Sequence, residues 1–282
     1  MAKSYQFDPD FKLELVSARV ATPEVAKTYR SADALNQSYL KDVLGVSPSY
    51  AEYRRLNPEE TPALAFGTAL HTQVLEPNDF NKRYAILPDC DRRTKEGKGI
   101  YEAFCVSNAG KTVLKQDDFA KLVRMASISR KYFDEKLAIT SSHEQAIFGT
   151  FKVIDGEFKG KEVDVKALLD AVYVFPDHVL IKDLKSVADI ANVTGASYSN
   201  GWAVQSAFYH DLVQKFSKME TKFEYVAQSK DEPYDVRIGY VSDEMFIKGR
   251  MLYQSAINRW LWWNKNGRPE TAEFLGKQAL NG

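Results

Sequence analysis

Apolar and polar positions change period several times along the chain, and each change marks a different kind of element. Residues 31–51 carry a helical pattern with short polar interruptions, in which Asn36 or Ser38 can cap a turn through its side-chain oxygen. Residues 61–76 give the clearest helix of the first third: Thr61 can cap it, Pro62 suits its first position and Pro77 stops it. A polar, charge-rich loop over 89–98 precedes a second helical pattern from about 111 to 138. The middle then shifts to a two-residue period rich in Val, Ile, Phe and Tyr. Residues 146–154, 163–175 and 179–184 read as three consecutive antiparallel strands, separated by Asp155-Gly156 and Pro176-Asp177. Helical spacing returns over 198–216, where Tyr198, Trp202, Gln205, Tyr209, Leu212 and Phe216 recur at intervals of three and four. Strands over 223–227 and 236–241 and an amphipathic helix over 244–263 close the pattern. With no internal repeat or linker, the expectation is one α+β domain over 1–282: a core of about 30–240 with a helical N-terminal part, then a C-terminal helix and tail over 243–282.

Composition narrows the function. Lys plus Arg and Asp plus Glu both number 38 in 282 residues, so bulk charge cannot coat a nucleic acid, and a polyanion would have to meet a local basic surface. The two cysteines, Cys90 and Cys105, lack zinc or iron–sulfur spacing and are too few for a disulfide framework. The first residues lack an apolar signal region and no apolar run approaches membrane-spanning length, so a cytoplasmic location is expected, with no membrane partner. No phosphate-binding loop, dinucleotide fingerprint or serine-hydrolase elbow is present.

Candidate chemistry concentrates in the strands. On 179–184 and its continuation, Asp183 and Lys185 emerge on one face while Leu184 points the other way. Asp170 lies one hairpin earlier, so two adjacent strands can present Asp170 and Asp183 to a common point. Two neighbouring carboxylates repel unless a cation sits between them, which asks for a hard divalent metal such as Mg²⁺. An Asp-x-Lys on a strand is commonly a solvated face, but the apolar runs Val179-Leu-Ile181 and Leu168-Leu169 mark strands buried on both sides, where an unpaired acid is costly. His71 is the only histidine on its apolar helix face, and Gly67 one turn before it suggests that a sheet or ligand approaches closely. Gln205 and Tyr209 share a stripe with core residues and need polar partners. Glu144 precedes the first strand as either a surface acid or a site residue, while Arg92, Arg93 and Lys95 form a basic loop suited to phosphate. His143, His178 and His210 have no ligand spacing.

Taken in order, His71, Glu144, Asp170, Asp183-Leu-Lys185, Gln205 and Tyr209 resemble the PDDEXK nuclease superfamily. The segments Asn36-Gln-Ser-Tyr-Leu-Lys41, Ser47-Pro48, Ala65-Phe-Gly-Thr-Ala-Leu-His71, Leu75-Glu-Pro77, Asp91-Arg-Arg-Thr-Lys-Glu-Gly-Lys98 and Val204-Gln-Ser-Ala-Phe-Tyr209 are similar to the exodeoxyribonuclease VIII (RecE-type) nuclease domain of phages and prophages, over roughly residues 30–215. The chain departs at Lys166-Ala-Leu-Leu-Asp170, where relatives commonly carry Arg-Pro before the acid. The resemblance implies a restriction-endonuclease-like or lambda-exonuclease-like core, a central mixed sheet flanked by helices. It implies His71, Asp170, Asp183 and the Leu184 backbone carbonyl as ligands of Mg²⁺, with Mn²⁺ as a substitute. It makes Lys185 the residue that holds the attacking water, Glu144 a support of the metal site, and Gln205 and Tyr209 positioning residues; Arg92, Arg93, Lys95 and Ser38 would meet DNA. The implied activity is hydrolysis of linear double-stranded DNA, degrading the 5′ strand to leave 3′ overhangs for phage-type recombination in a bacterial host. The implied partners are duplex ends, a single-strand annealing recombinase and further copies in a homo-oligomeric ring. A PDDEXK endonuclease and a catalytically inactive DNA-binding or scaffold member are the alternatives. Trp260, Trp262 and Trp263 are either core or an interface between subunits.

Overall fold

The computed structural model describes residues 8–59, 61–193 and 201–269, and places a six-stranded sheet between two helical layers. Strand β1 (Lys12–Val20) comes first and the short helix α1 (Pro23–Lys27) follows. The segment expected as one interrupted helix is two, α2 (Gln37–Gly45) and α3 (Pro48–Leu56). Asn36 and Ser47 each cap one, accepting from the Tyr39 and Tyr50 amides at 2.9 and 3.1 Å, and Pro48 starts the second where a helix needs no amide donor. Helix α4 (Pro62–Leu75) begins at the Thr61 cap and ends before Pro77, as the sequence predicts. Helix α5 (Phe80–Arg83) and strand β2 (Tyr84–Ile86) follow. Helix α6 (Lys95–Ser107) begins inside the expected polar loop because Thr94 caps it. Strand β3 (Thr112–Leu114), unforeseen within the second helical pattern, pairs in parallel with β2, and helix α7 (Gln116–Ser129) fills only part of that pattern.

The remainder follows the predicted alternation with longer strands: β4 (Thr140–Asp155), β5 (Glu162–Val174), β6 (His178–Val187), α8 (Trp202–Ser217), β7 (Glu220–Ser229), β8 (Val236–Tyr240) and α9 (Asp243–Lys265). Spatial order is β1-β4-β5-β6-β7-β8, antiparallel throughout except for β6 and β7. A parallel pair needs a crossover, and α8 lies within it. The sheet is therefore mixed and flanked by helices, which is the α+β architecture expected.

Two cores hold the layers together. Phe151, Val163, Ile181 and Phe223 pack under α2, α8 and α9, while Tyr173, Leu180, Leu184 and Val226 pack under α4 and α7. Helix α9 crosses α8 closely: a Cβ on Gly249 would lie 2.0 Å from the Ala203 carbonyl oxygen, so only glycine allows the approach. Trp263 is buried, its indole donates to the Pro269 carbonyl at 3.0 Å, and Trp260 and Trp262 pack beside it, so this group serves intramolecular packing. The α8 stripe is buried through Leu212, but Phe216 is 48% exposed because it lies in the last turn; Tyr198 falls outside the described residues.

One irregularity positions the site. Along β5, Val163, Val165, Ala167 and Leu169 join the core under α8, yet Ala171 and Tyr173, of the same parity, join the core under α4. A regular strand keeps one parity on one face. The strand therefore turns over at Asp170. Opposite it on β4, between the pairs His143↔Ala171 and Gln145↔Leu169, Glu144 adopts φ +49°, a left-handed backbone uncommon for a residue with a side chain.

Candidate active site

Helix α4 delivers His71 to this turnover. The His71 Nδ1 lies 2.8 Å from the Gly67 carbonyl, a bond that aims Nε2 at Asp170 Oδ2, 3.0 Å away. The Leu184 backbone N–H donates to the same oxygen at 2.7 Å. Asp170 thus joins α4 to β6. A Cβ on Gly67 would meet only Ser186 Oγ, at 3.9 Å, so the glycine is not needed for clearance there, contrary to the sequence argument; what it contributes is its carbonyl.

Strand parity holds on β6. Leu184 is in the α4 core, while Asp183, 1% exposed, ion-pairs through Oδ1 with the Lys185 ammonium. Gln205 Nε2 on α8 donates to Asp183 Oδ2 at 2.6 Å, which gives the buried glutamine its polar partner. Tyr209, one turn on, is also buried and bonds Gln205. Beyond the Lys185 ammonium, the buried Asp183 Oδ1 has no hydrogen-bond partner.

The charges are strongly interdependent. Burial opposes ionisation of Asp170, but the His71 charge and hydrogen bond, Lys185 and the Leu184 amide outweigh it and hold the carboxyl below the usual range. For Asp183 burial wins with help from Asp170's charge, and its carboxyl is pushed upward despite Lys185. Burial alone would lower His71; Asp170 and the Gly67 carbonyl reverse this and raise the imidazole to about 9. Glu144 is raised to about 7 by burial and by Asp170, against the pull of His71 and Arg83. The predicted residues His71, Glu144, Asp170, Asp183, Lys185, Gln205 and Tyr209 therefore gather in one place.

Three further residues belong here. Tyr29, in the segment after α1, feels the Glu144 charge, bonds Asn36 and neighbours Tyr209; burial and Glu144 keep its phenol protonated. Lys41 on α2 is lowered first by burial and then by the Lys185 charge, with Asp183 acting in the opposite direction. Glu76 pairs with Arg83 at 2.7 Å, and both act on Glu144. Lys166, where the chain departs from its relatives, is buried and donates to the Tyr29 and Ala32 carbonyls at 2.7 Å each. It pins the segment that carries Tyr29. Ser38 lies in the first turn of α2 beside the Asn36 cap, but Arg93 is committed to Asp91 at 2.9 Å, Arg92 stacks over Tyr101 at 4.8 Å and Lys95 opens α6. The contacts of that loop lie within its own segment. His143, His178 and His210 bond Leu75, Asp177 and Asp211.

Among the described residues no three His, Cys, Asp or Glu side chains form a ready coordination shell. The donor set nevertheless fits a hard cation: two carboxylates share one site, an imidazole adjoins them, and Asp183 Oδ1 meets only the Lys185 ammonium. In this arrangement His71 and Lys185 supply the positive charge that keeps the acids together.

A mixed sheet that turns over at an acid, with Asp-x-Lys on the next strand, is the arrangement expected from the resemblance to the PDDEXK superfamily. The model of a PDDEXK-like domain of unknown function (DUF3799) matches residues 38–275, and the chain belongs to that family. No curated protein matches the sequence. The fold is similar to the crystal structure of a "Putative exonuclease" from Eubacterium rectale, with a TM-score of 0.54, 18% identity and 88% of each chain covered. Among the described residues no helix is long and apolar enough to cross a membrane.

Proposed function

We propose that the chain is a divalent-metal-dependent exonuclease of the RecE type, hydrolysing linear double-stranded DNA from its ends and degrading the 5′ strand to leave a 3′ overhang. The observation that carries this reading is the buried meeting of Asp170, Asp183, Lys185 and His71 at the strand turnover. His71, Asp170, Asp183 and the Leu184 carbonyl would hold Mg²⁺ or Mn²⁺, which when bound supplies positive charge to the phosphate and makes hydroxide accessible near neutral pH. Lys185 places its ammonium where negative charge grows on the phosphate as water adds to phosphorus and the bridging P–O bond breaks. Gln205 fixes the Asp183 carboxylate in plane, and the Gly67 carbonyl fixes His71 in the same way. Glu144, whose carboxyl burial and Asp170 raise to about 7, is placed to exchange a proton as the acids beside it gain or lose charge. On this reading the chain works beside a single-strand annealing recombinase and in a ring of copies.

The test is digestion of end-labelled linear duplex and of covalently closed circular DNA, with Mg²⁺ or with EDTA. Metal-dependent loss of the linear substrate alone, abolished in Lys185→Ala, supports the exonuclease. Cutting of the circle replaces it with an endonuclease, and cutting of neither points to a binding or scaffold role.

A further inference from the structure

Beside the site lies a cleft of about 550 Å³ that the chemistry above does not use. Phe66 and Val113 give it an apolar wall, and Lys115, Lys121 and Lys230 surround it with a single acid, Asp118. In a chain of zero net charge this is a local excess of cations. Among the described residues these three lysines stand in no ion pair, whereas Lys82, Lys182 and Arg250 each have a carboxylate partner. Lys121 lies over the Phe66 ring at 5.8 Å, and Val113 is 48% exposed. Unneutralised lysines beside apolar surface match a polymer with regular phosphates and unpaired base faces, which is the chemistry of a single nucleic-acid strand.

The cleft adjoins the site. Phe66 precedes Gly67, the residue whose carbonyl holds His71 and whose Cα faces Ser186, next to Lys185. On the other side Lys230, just past the end of β7, donates its amide at 2.9 Å to the carbonyl of Val187, which ends β6 two residues beyond Lys185. A volume of this order is that of a small-ligand pocket, less than a stretch of duplex occupies. We infer that this cleft binds a single-stranded DNA segment continuous with the strand at the active site, with Lys115, Lys121 and Lys230 on successive phosphates and Phe66 and Val113 against sugar and base. The inference rests on the nuclease reading for its choice of DNA as the polymer.

Fluorescence anisotropy of a labelled short oligo(dT) with the full chain in EDTA tests it without cleavage. The expected result is salt-dependent binding that Lys115→Ala, Lys121→Ala and Lys230→Ala together weaken at least about tenfold, flattening the log–log salt slope by about 2 at roughly 0.7 per phosphate lost. Arginine at the same three positions restores it. Unchanged affinity and slope in the triple alanine variant overturn the inference, as does competition by dTMP or by poly-glutamate equal to that of unlabelled oligo(dT). Wild-type chain that cuts linear duplex while the triple variant binds oligo(dT) normally removes the cleft and keeps the nuclease; binding through the three lysines with no cutting of any DNA does the reverse.

Discussion

Two buried carboxylate clusters in this molecule are built on opposite plans. Between α8 and α9, Asp211 accepts from Arg250 at 2.6 to 3.1 Å, from the Tyr253 hydroxyl at 2.8 Å, and pairs with His210 at 2.9 Å. One acid is surrounded by donors. At the strand turnover Asp170, Asp183 and Glu144 crowd together against His71 and Lys185, and one oxygen of Asp183 has only the Lys185 ammonium for a partner. A satisfied polar network fixes packing, whereas an acid-rich one is held together at a cost and can take up a cation. The first cluster ties two helices, and the second has the donor set that the proposed metal site needs.

The sharpest way to break this contrast is catalytic. Asp183→Asn or Lys185→Ala should lower the rate of linear-duplex hydrolysis by about a thousandfold, the scale seen when one charge-stabilising group is removed, and single-turnover cleavage measures it. Stability should run the other way: Asp211→Ala costs about 1–3 kcal/mol because the Tyr253 hydroxyl and the partly exposed Arg250 lose their acceptor, while Asp183→Asn leaves denaturant stability unchanged or higher. Gln205→Ala should reduce cleavage about tenfold with little change in melting temperature, since it frees Asp183 Oδ2 to turn without emptying the site.

The smallest effects are in pH, and they have opposite signs. Folding raises Glu144 from 4.5 to about 7, so the folded chain keeps a proton that the unfolded chain has lost, and this contribution to stability falls as pH rises between those values. Burial works against the Asp211 charge, but His210, Arg250 and Tyr253 outweigh it and hold its carboxyl low; its contribution is present above the unfolded value of about 3.9 and is lost as pH falls below it. Melting curves from pH 3 to 8 should therefore show a shallower near-neutral slope in Glu144→Gln, where Asp183 and His71 still contribute, and a weaker acid limb in Asp211→Asn.

Much of the site was legible because strand parity and helix spacing are local. Asp183 and Lys185 against Leu184 follow from a two-residue period, and His71, Gln205 and Tyr209 from helix faces. Other parts depend on irregularity. Strand β1 was missed although Leu13 and Leu15 alternate, because the register shifts between Leu15 and Ser17 and the period breaks. Tyr29 lies in an irregular turn held by Lys166 across 137 residues of chain, a contact with no local signature. Glu144 was visible only as an acid near a strand; its left-handed backbone, and the turnover of β5 opposite, arise from pairing between strands. Thr94, in contrast, was a readable cap, and α6 was hidden only because charged residues fill its first turn.

The most direct measurement places wild type, Asp183→Asn and Asp211→Asn side by side on end-labelled linear duplex DNA with Mg²⁺, below the melting temperature of the least stable chain. The expected result is cleavage by wild type and Asp211→Asn and none by Asp183→Asn. Cleavage by Asp183→Asn at the wild-type rate would contradict the assignment of the strand turnover as the active site.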